Sequence, residues 1–515
     1  MPKIIGEDLT IRQLVDVARR GEQVDALDKA TTDRMQASAT IVEEAVTSGQ
    51  SPIYGVTTGF GPLATVRIDP EQVQSLSRNV VLSSMVGVGP PLGEDIVRAM
   101  MLIRLNTFAK GLSGVRPLLA ETMLNMLNAG VTPYVPSKGS LGASGDLAPL
   151  AHIAAVVSAG EHDDESGQAW FGGELLSGAE AMERAGIDRV VLEAKEGLGL
   201  TNGTNFMVAA AALGLYDANN LLLHAELAAA LTFEALLGLT AALDERLHVA
   251  NGQPGQIQTA RNMKRLLIGS QLVDSDLGRV QDAYSLRCTP QVLGPIRDML
   301  GFLNERVGAA LNAATDNPLF FDGGNSISGG NFHGQGPALW LDTLSIAVAQ
   351  MATISERRTF RMTTPELSNG LPSMLVKSGG LDSGMMMPQY TAAALVSDNK
   401  VLSHPDSVDS IPSSANQEDH VSMGANAARH TLEIIENVRH ILAIELLTAA
   451  QAIDLRQEGA NLLGVGTAIA HLKIREEVEF LENDRALAPD IEALAQLIGS
   501  GTVIEAVEKA IGGGL

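Results

Sequence analysis

Residues 139–152 read Gly-Ser-Leu-Gly-Ala-Ser-Gly-Asp-Leu-Ala-Pro-Leu-Ala-His, a small-residue loop running into an apolar, helix-like stretch. A glycine-rich backbone lets main-chain atoms approach one another closely, and Ala143-Ser144-Gly145 is a triplet able to close on itself. The Gly145 amide nitrogen would attack the Ala143 carbonyl carbon. Loss of two waters would then leave a five-membered imidazolone with Ser144 as a dehydroalanine, an electrophilic carbon that no ordinary side chain offers. Glycine at the attacking position avoids a crowding Cβ, and alanine at the attacked position is nearly as small. The plainer reading of the same triplet is a turn in which Ser144 and Asp146 cap the helix beginning near Leu147.

Other residues with chemistry to offer sit where helical rhythm breaks. Residues 51–62 hold three glycines and two prolines and form a loop carrying Tyr54. Four polar stretches interrupt apolar helices: 200–205, with Asn202; 281–288, with Gln281, Tyr284 and Arg287; 329–333, with Phe332 and His333; and 413–420, with Glu418. Buried polar groups demand partners, and a ligand is one possible partner. Tyr284 and Arg287 are three apart and share a face of a helix or tight turn. The arginine fork suits a carboxylate, although Asp282 is a competing partner. Asn202 is able to donate to a carboxylate or carbonyl, or to cap the helix from Asn205. Glu418, Asp419 and His420 are adjacent and cannot readily ligate one ion together, and no His-Glu-x-x-His motif occurs, so no metal is assigned. Glu418 is better suited to a cationic group on a ligand. Gly87-x-Gly89 and Gly59-x-Gly61 do not complete a dinucleotide fingerprint, and Cys288 reads as the filler of a small apolar gap.

The elements that must position these groups are mostly helical. The 515-residue chain is 45% hydrophobic but only 3% aromatic, and Ala, Leu and Met favour helices over sheets. Helical patterns run over 8–50, 71–86, 94–130, 205–250, 258–268, 291–314, 336–360, 387–404 and 424–457, with Thr10 and Thr32 as starts of the first two helices. Residues 160–195 suit a small excursion with a little strand. Helices this long and apolar bury more than one face, so a long-helix bundle shared between subunits is the economical architecture. The organisation expected is an N-terminal mixed region over 1–200 carrying the Tyr54 and Ala143-Ser144-Gly145 loops, a central bundle over 201–460, and a C-terminal helical region over 461–515. A net charge of -24 repels nucleic acid and anionic membrane surfaces. The apolar run 221–243 is interrupted by His224, Glu226 and Glu234 and reads as a buried helix, not a span. One cysteine excludes a disulfide framework within one chain, the first residues lack the apolar core of a signal peptide, and a soluble cytoplasmic protein is expected.

Taken together, the 139–152 loop, Tyr54-Gly-Val-Thr-Thr-Gly-Phe-Gly61, Asn202-Gly-Thr204, Gln281-Asp-Ala-Tyr-Ser-Leu-Arg-Cys288, Asp316-Asn-Pro318, Gly330-Asn-Phe-His333 and Asn416-Gln-Glu-Asp-His-Val-Ser-Met423 resemble the histidine and aromatic amino-acid ammonia-lyase and aminomutase family. The match runs in order over essentially the whole chain. The resemblance implies a mostly helical homotetramer with each active site assembled from three subunits. It implies that Ala143-Ser144-Gly145 cyclises unaided to 4-methylidene-imidazol-5-one (MIO), with Asp146 assisting dehydration and no external cofactor. It further implies Tyr54 as base, Arg287 and Asn202 on the substrate carboxylate, and Tyr284 and Gln281 supporting electrophile and substrate. Phe332 would lie near the MIO, with Glu418 as the acidic residue of the histidine lyases. A phenol acts as a base only after losing its own proton, so hydrogen bonds or a nearby cation must hold the phenolate.

For the substrate, two features of the resemblance diverge. Histidine lyases read Leu-Ser-His before the Gly-Val-Gly turn, whereas this chain reads Leu82-Ser83-Ser84-Met85-Val86-Gly87-Val88-Gly89. Ser84 therefore stands where those enzymes carry an imidazole-contacting histidine. Gln417-Glu418-Asp419-His420, in contrast, has the histidine-lyase form, and a carboxylate beside an apolar phenyl ring would be poorly paired where an imidazole can donate to it. The expected reaction is loss of ammonia from L-histidine to give trans-urocanate. A 2,3-aminomutase, a tyrosine or phenylalanine ammonia-lyase and a catalytically silent helical scaffold are the alternatives.

Overall fold

The computed structural model describes residues 2–49, 52–160, 164–276 and 278–515. Ser51, which opens the Tyr54 loop, and residues 161–163 of the 160–195 excursion lie outside the described residues. The protein is mostly α-helical, as its composition requires. Its longest helices are Asn205–Ala235, Thr289–Leu311, Gln335–Thr363 and Gly424–Asp454. Strands are short and confined to small sheets, among them Val88–Pro91 paired antiparallel with Pro136–Lys138, and Gln168–Phe171 between Thr132–Pro133 and Glu174–Ser177.

Helix boundaries depart from the sequence reading where local chemistry overrides periodicity. Thr10 caps helix Ile11–Arg20 in a reciprocal capping box with Gln13. The next helix starts at Lys29, not at Thr32, because the Asp28 side chain accepts from the Thr31 amide and captures the N-cap four residues before Thr32. The run 94–130 is two helices, Glu94–Ala109 and Pro117–Ala129. Gly111 and Gly114 turn the chain between them with φ of 71° and 68°, and Pro117 restarts it at a position that needs no amide donor. The run 205–250 also breaks. Helix Asn205–Ala235 ends where Leu237 takes φ 53° and the Gly238 amide returns to the Phe233 carbonyl at 2.7 Å. Asp244 then caps a separate helix, Glu245–Asn251.

Two compact units account for the chain. The first comprises residues 1–216, 304–342 and 405–429, and the second 217–303, 343–404 and 430–515. The core of the first is built on helix Glu94–Ala109, buried from Ala99 through Ala109. In the second, Arg358 and Glu445 form a fully buried ion pair, with Nε and Nη2 donating at 2.5 and 2.8 Å. The Thr232 hydroxyl donates at 2.8 Å to Glu445 Oε1, the oxygen that Arg358 Nε reaches. Removing one member strands a charge without water, so Glu445→Ala is expected to destabilise this unit by about 3–5 kcal/mol, whereas the double change Arg358→Met with Glu445→Leu recovers most of the loss. Chemical unfolding of the three proteins side by side checks this; a single variant as stable as the double would contradict it.

Candidate active site

The loop at 139–146 is held by main-chain and hydroxyl contacts on every side. The Asn202 amide group donates to the Ser144 carbonyl at 3.1 Å, and the Asp146 amide donates to Gly203 O at 2.7 Å. Ser140 Oγ donates to Gly145 O and accepts from the Gly142 amide, both at 3.1 Å. From the 405–429 segment, Ser422 Oγ donates to Gly142 O at 3.1 Å and the Met423 amide to Leu141 O at 2.8 Å. Gly145 has φ of 75°, and a Cβ there would lie 2.2 Å from Gly203 O. Only glycine fits, for the close approach as well as for the left-handed backbone. Ser140 and Ser422 were not singled out in the sequence; two serines among small residues carry no signal until the fold shows what they peg.

Helix Leu147–Val157 begins where expected, but neither Ser144 nor Asp146 caps it. The Asp146 carboxylate instead accepts from the Phe206 and Met207 amides at 2.8 and 3.1 Å. These belong to the first turn of helix Asn205–Ala235, whose amides lack intrahelical acceptors and whose dipole favours a negative charge. Burial dominates nonetheless, and pushes the Asp146 carboxyl up to about 7 against the pull of those amides, Ser140 and Arg104. A carboxyl poised there can give or take a proton near neutrality.

Beside the loop lies a cavity of about 660 Å³ lined by Tyr54, Ser83, Ser84, Ala143, Ser144, Asn202, Phe332, Glu418 and neighbouring residues. Tyr54 comes from the loop read at 51–62. Its ring meets Phe60 edge-on, with centroids 6.2 Å apart at 84°, and the Gly61 amide donates to its hydroxyl oxygen at 3.0 Å. That places an N–H where negative charge develops when the phenol gives up its proton. Glu418 is gathered by three hydroxyls: Ser144 donates to Oε1 at 2.7 Å, and Ser413 and Ser414 donate to Oε2 at 2.8 and 3.1 Å. Ser83 and Ser84 close helix Val73–Ser84 at the cavity wall. Asn202 keeps a buried Oδ1 with no partner among the described residues, so its carbonyl, with the amide spent on Ser144, is what it offers a ligand. His333 and His420 also line the cavity and stack with ring centroids 5.8 Å apart.

Gln281, Tyr284 and Arg287 belong to the second unit and are not among the residues lining this cavity. The shared face expected for the last two is present on the short helix Tyr284–Arg287, where the guanidinium lies 4.7 Å from the tyrosine ring centroid. Asp282 does not compete for Arg287; it pairs with Arg279 at 2.8 Å. Tyr284 is 71% exposed.

A helical scaffold that holds a cyclisable triplet, a phenol and a carboxylate around one cavity defines a carbon–nitrogen lyase of the amino-acid type. Residues 9–476 match the family model for aromatic amino acid lyase. The chain is 50% identical over 508 residues to histidine ammonia-lyase of Treponema denticola, covering 98% of each. Among solved structures it is similar to tyrosine aminomutase from Streptomyces globisporus, with TM-score 0.91 and 36% identity over 99% of this chain and 98% of that one. It is equally similar in sequence, at 36%, to histidine ammonia-lyase from Trypanosoma cruzi, with TM-score 0.89 and coverage of 99% and 95%. The protein belongs to the aromatic amino acid lyase family.

Proposed function

We propose that this protein is a histidine ammonia-lyase, converting L-histidine to trans-urocanate and ammonia through an MIO group made from Ala143, Ser144 and Gly145. The observation that carries the substrate reading is the 2.7 Å contact between Ser144 Oγ and Glu418 Oε1, which sets a carboxylate directly against the residue to be dehydrated. Once the Ser144 hydroxyl leaves as water, Oε1 loses that donor and faces the cavity as an acceptor for the N–H of an imidazole. Relatives named histidine ammonia-lyase at 48–50% identity over nearly the full chain support the same choice. The triplet fits the group: glycine is the only residue that Gly203 O admits at 145, and Asn202 and Ser140 fix the Ser144 and Gly145 carbonyls.

The MIO group supplies an electrophilic carbon that activates the substrate amine as a leaving group. The chain's own residues do the rest. Tyr54 removes the β-proton, with the Gly61 amide holding its oxygen. Asn202, expected on the substrate carboxylate, has its amide on Ser144 O and offers Oδ1 instead, which accepts from the substrate ammonium. Ser84 offers one hydrogen bond toward the ring that Glu418 anchors, and Phe332 walls the cavity. Arg287, with Tyr284 and Gln281, meets the substrate carboxylate from another copy of the chain in a homotetramer.

Incubating the purified protein with histidine, tyrosine and phenylalanine in turn tests this, following the unsaturated acid by absorbance and any β-amino acid by chromatography. Histidine is expected to give urocanate. Turnover of tyrosine or phenylalanine alone, or a β-amino acid as main product, would replace the reading with an aromatic lyase or an aminomutase. In the same assay Glu418→Gln is expected to lower kcat/KM for histidine by roughly ten- to a hundredfold, the worth of a hydrogen bond to a charged group, and to leave the loop's loss of two waters, read by intact mass, unchanged.

A further inference from the structure

Arg104 stands out among buried groups with no role so far. It sits on helix Glu94–Ala109, is 1% exposed, and makes no ion pair among the described residues. Nη2 donates to Asn202 O at 2.8 Å and to Asn205 Oδ1 at 2.5 Å, while Nε and Nη1 have no hydrogen-bond partner among the described residues. A Cβ at Gly203 would lie 2.3 Å from Nη2, so the guanidinium occupies the space a side chain there would need. The segment it grips supplies three anchors of the 139–146 loop: the Asn202 amide on Ser144 O, Gly203 O on the Asp146 amide, and the Phe206 and Met207 amides on the Asp146 carboxylate.

Its charge has a direction as well. Asp316 and, more weakly, Asp146 both act on Arg104 as attracting charges. Asp316 is itself paired with the fully buried Lys195 at 2.8 Å, which repels Arg104. Burial brings Arg104 down only to about 10, so it remains a cation at neutral pH. Asp146 thus feels Arg104 as its attracting cation, together with the Ser140 hydroxyl and the two helix amides. A buried guanidinium with no salt bridge among the described residues, resting on the Phe108 ring 5.7 Å away, is costly to fold, and a cost borne beside the one loop with a reaction to perform points to a task there.

We propose that Arg104 is a positioning residue for closure of the Ala143-Ser144-Gly145 ring, pressing the Asn202–Asn205 segment onto the loop and lending its positive charge to Asp146, the group that accepts a proton there. The proposal rests on the MIO reading above. In the closure, the Gly145 nitrogen bonds to the Ala143 carbonyl carbon, whose oxygen leaves as water with the amide hydrogens of Ser144 and Gly145. The Ser144 hydroxyl then leaves as a second water with the Ser144 α-hydrogen. Asp146 takes and returns protons in both steps, so no external acid, base or oxidant is consumed.

The test follows the full chain made by cell-free translation at a series of pH values, with intact mass reporting loss of two waters over time. Arg104→Lys, which keeps the charge, is expected to convert with the wild-type pH midpoint. Arg104→Met is expected to convert at least tenfold more slowly at neutral pH, with the midpoint raised by roughly one unit, the scale of an opposite charge removed from beside a carboxylate. Slow conversion with an unmoved midpoint, or a midpoint moved equally in Arg104→Lys, would reduce Arg104 to a structural part and overturn the proposal. If Arg104→Met does not fold by circular dichroism, Arg104→Gln, which retains a donor for Asn202 O, is judged by the same two criteria. A wild-type chain that never loses two waters would instead refute the MIO reading itself, and is told apart from failure of the proposal by that control.

Discussion

Ser144→Ala is expected to abolish ammonia release while leaving the fold intact. The Ser144 side chain makes one hydrogen bond, to Glu418 Oε1, and Glu418 remains held at Oε2 by Ser413 and Ser414. The loop's anchors are main-chain groups of residues 141, 142, 144, 145 and 146 with the Ser140 hydroxyl and the Asp146 carboxylate, none of which the substitution removes. Helicity and thermal midpoint should therefore stay close to wild type. The chemistry has no such redundancy. Alanine has no hydroxyl to lose, so the methylidene carbon cannot form, and no other side chain in the cavity is an electrophile toward an amine. A loss of about four orders of magnitude or more in kcat is the scale expected when a residue that forms the covalent link is deleted. Urocanate production followed by absorbance, with intact mass showing that the second loss of water does not occur, checks both halves. Residual turnover within about a hundredfold of wild type would mean that ammonia leaves by another route, and the MIO reading would fall with it.

Much of this was legible in the sequence, and the parts that were not fail for identifiable reasons. Long apolar periodicity marks the helices Asn205–Ala235, Gln335–Thr363 and Gly424–Asp454 because burial on several faces leaves no ambiguity of period. Their ends were less legible, since a single positive-φ residue such as Leu237 or a competing cap such as Asp28 decides them. At the site, Tyr54, Asn202 and Glu418 stood out by residue type and setting, Ser83, Ser84 and Phe332 came from the family resemblance, and all six line one cavity with Ala143 and Ser144. The plainer alternative for Asp146 fails for a related reason: one residue before a helix, an aspartate looks like that helix's cap, yet it serves the start of a helix some sixty residues on. Sequence distance hides that kind of partner. Arg104 was hidden differently. An arginine in a helix ordinarily reads as a solvated face, and the only hint was its place in the run Met100-Met-Leu-Ile-Arg-Leu, where no polar face is available to carry it.

Tyr54→Phe is expected to lower kcat by roughly 10² to 10⁴-fold, the usual range for removing a positioned general base, without preventing formation of the electrophile. The ring's edge contact with Phe60 survives the change, so what is lost is the oxygen that the Gly61 amide holds. That amide is left without its acceptor, which adds a small stability loss of about 1 kcal/mol. Intact mass should still report loss of two waters, because the contacts that press the loop together, from Asn202, Ser140 and Ser422, do not involve Tyr54. The sharper readout is hydrogen exchange at the substrate β-carbon. A wild-type enzyme that removes the β-proton reversibly brings solvent deuterium into recovered histidine, and the phenylalanine variant should not. Exchange retained at the wild-type rate with ammonia release slowed would assign proton removal to another group. Of the residues around the cavity, Glu418 is then the one left with an acceptor oxygen facing Ser144, and its role would shift from holding the substrate ring to taking the proton.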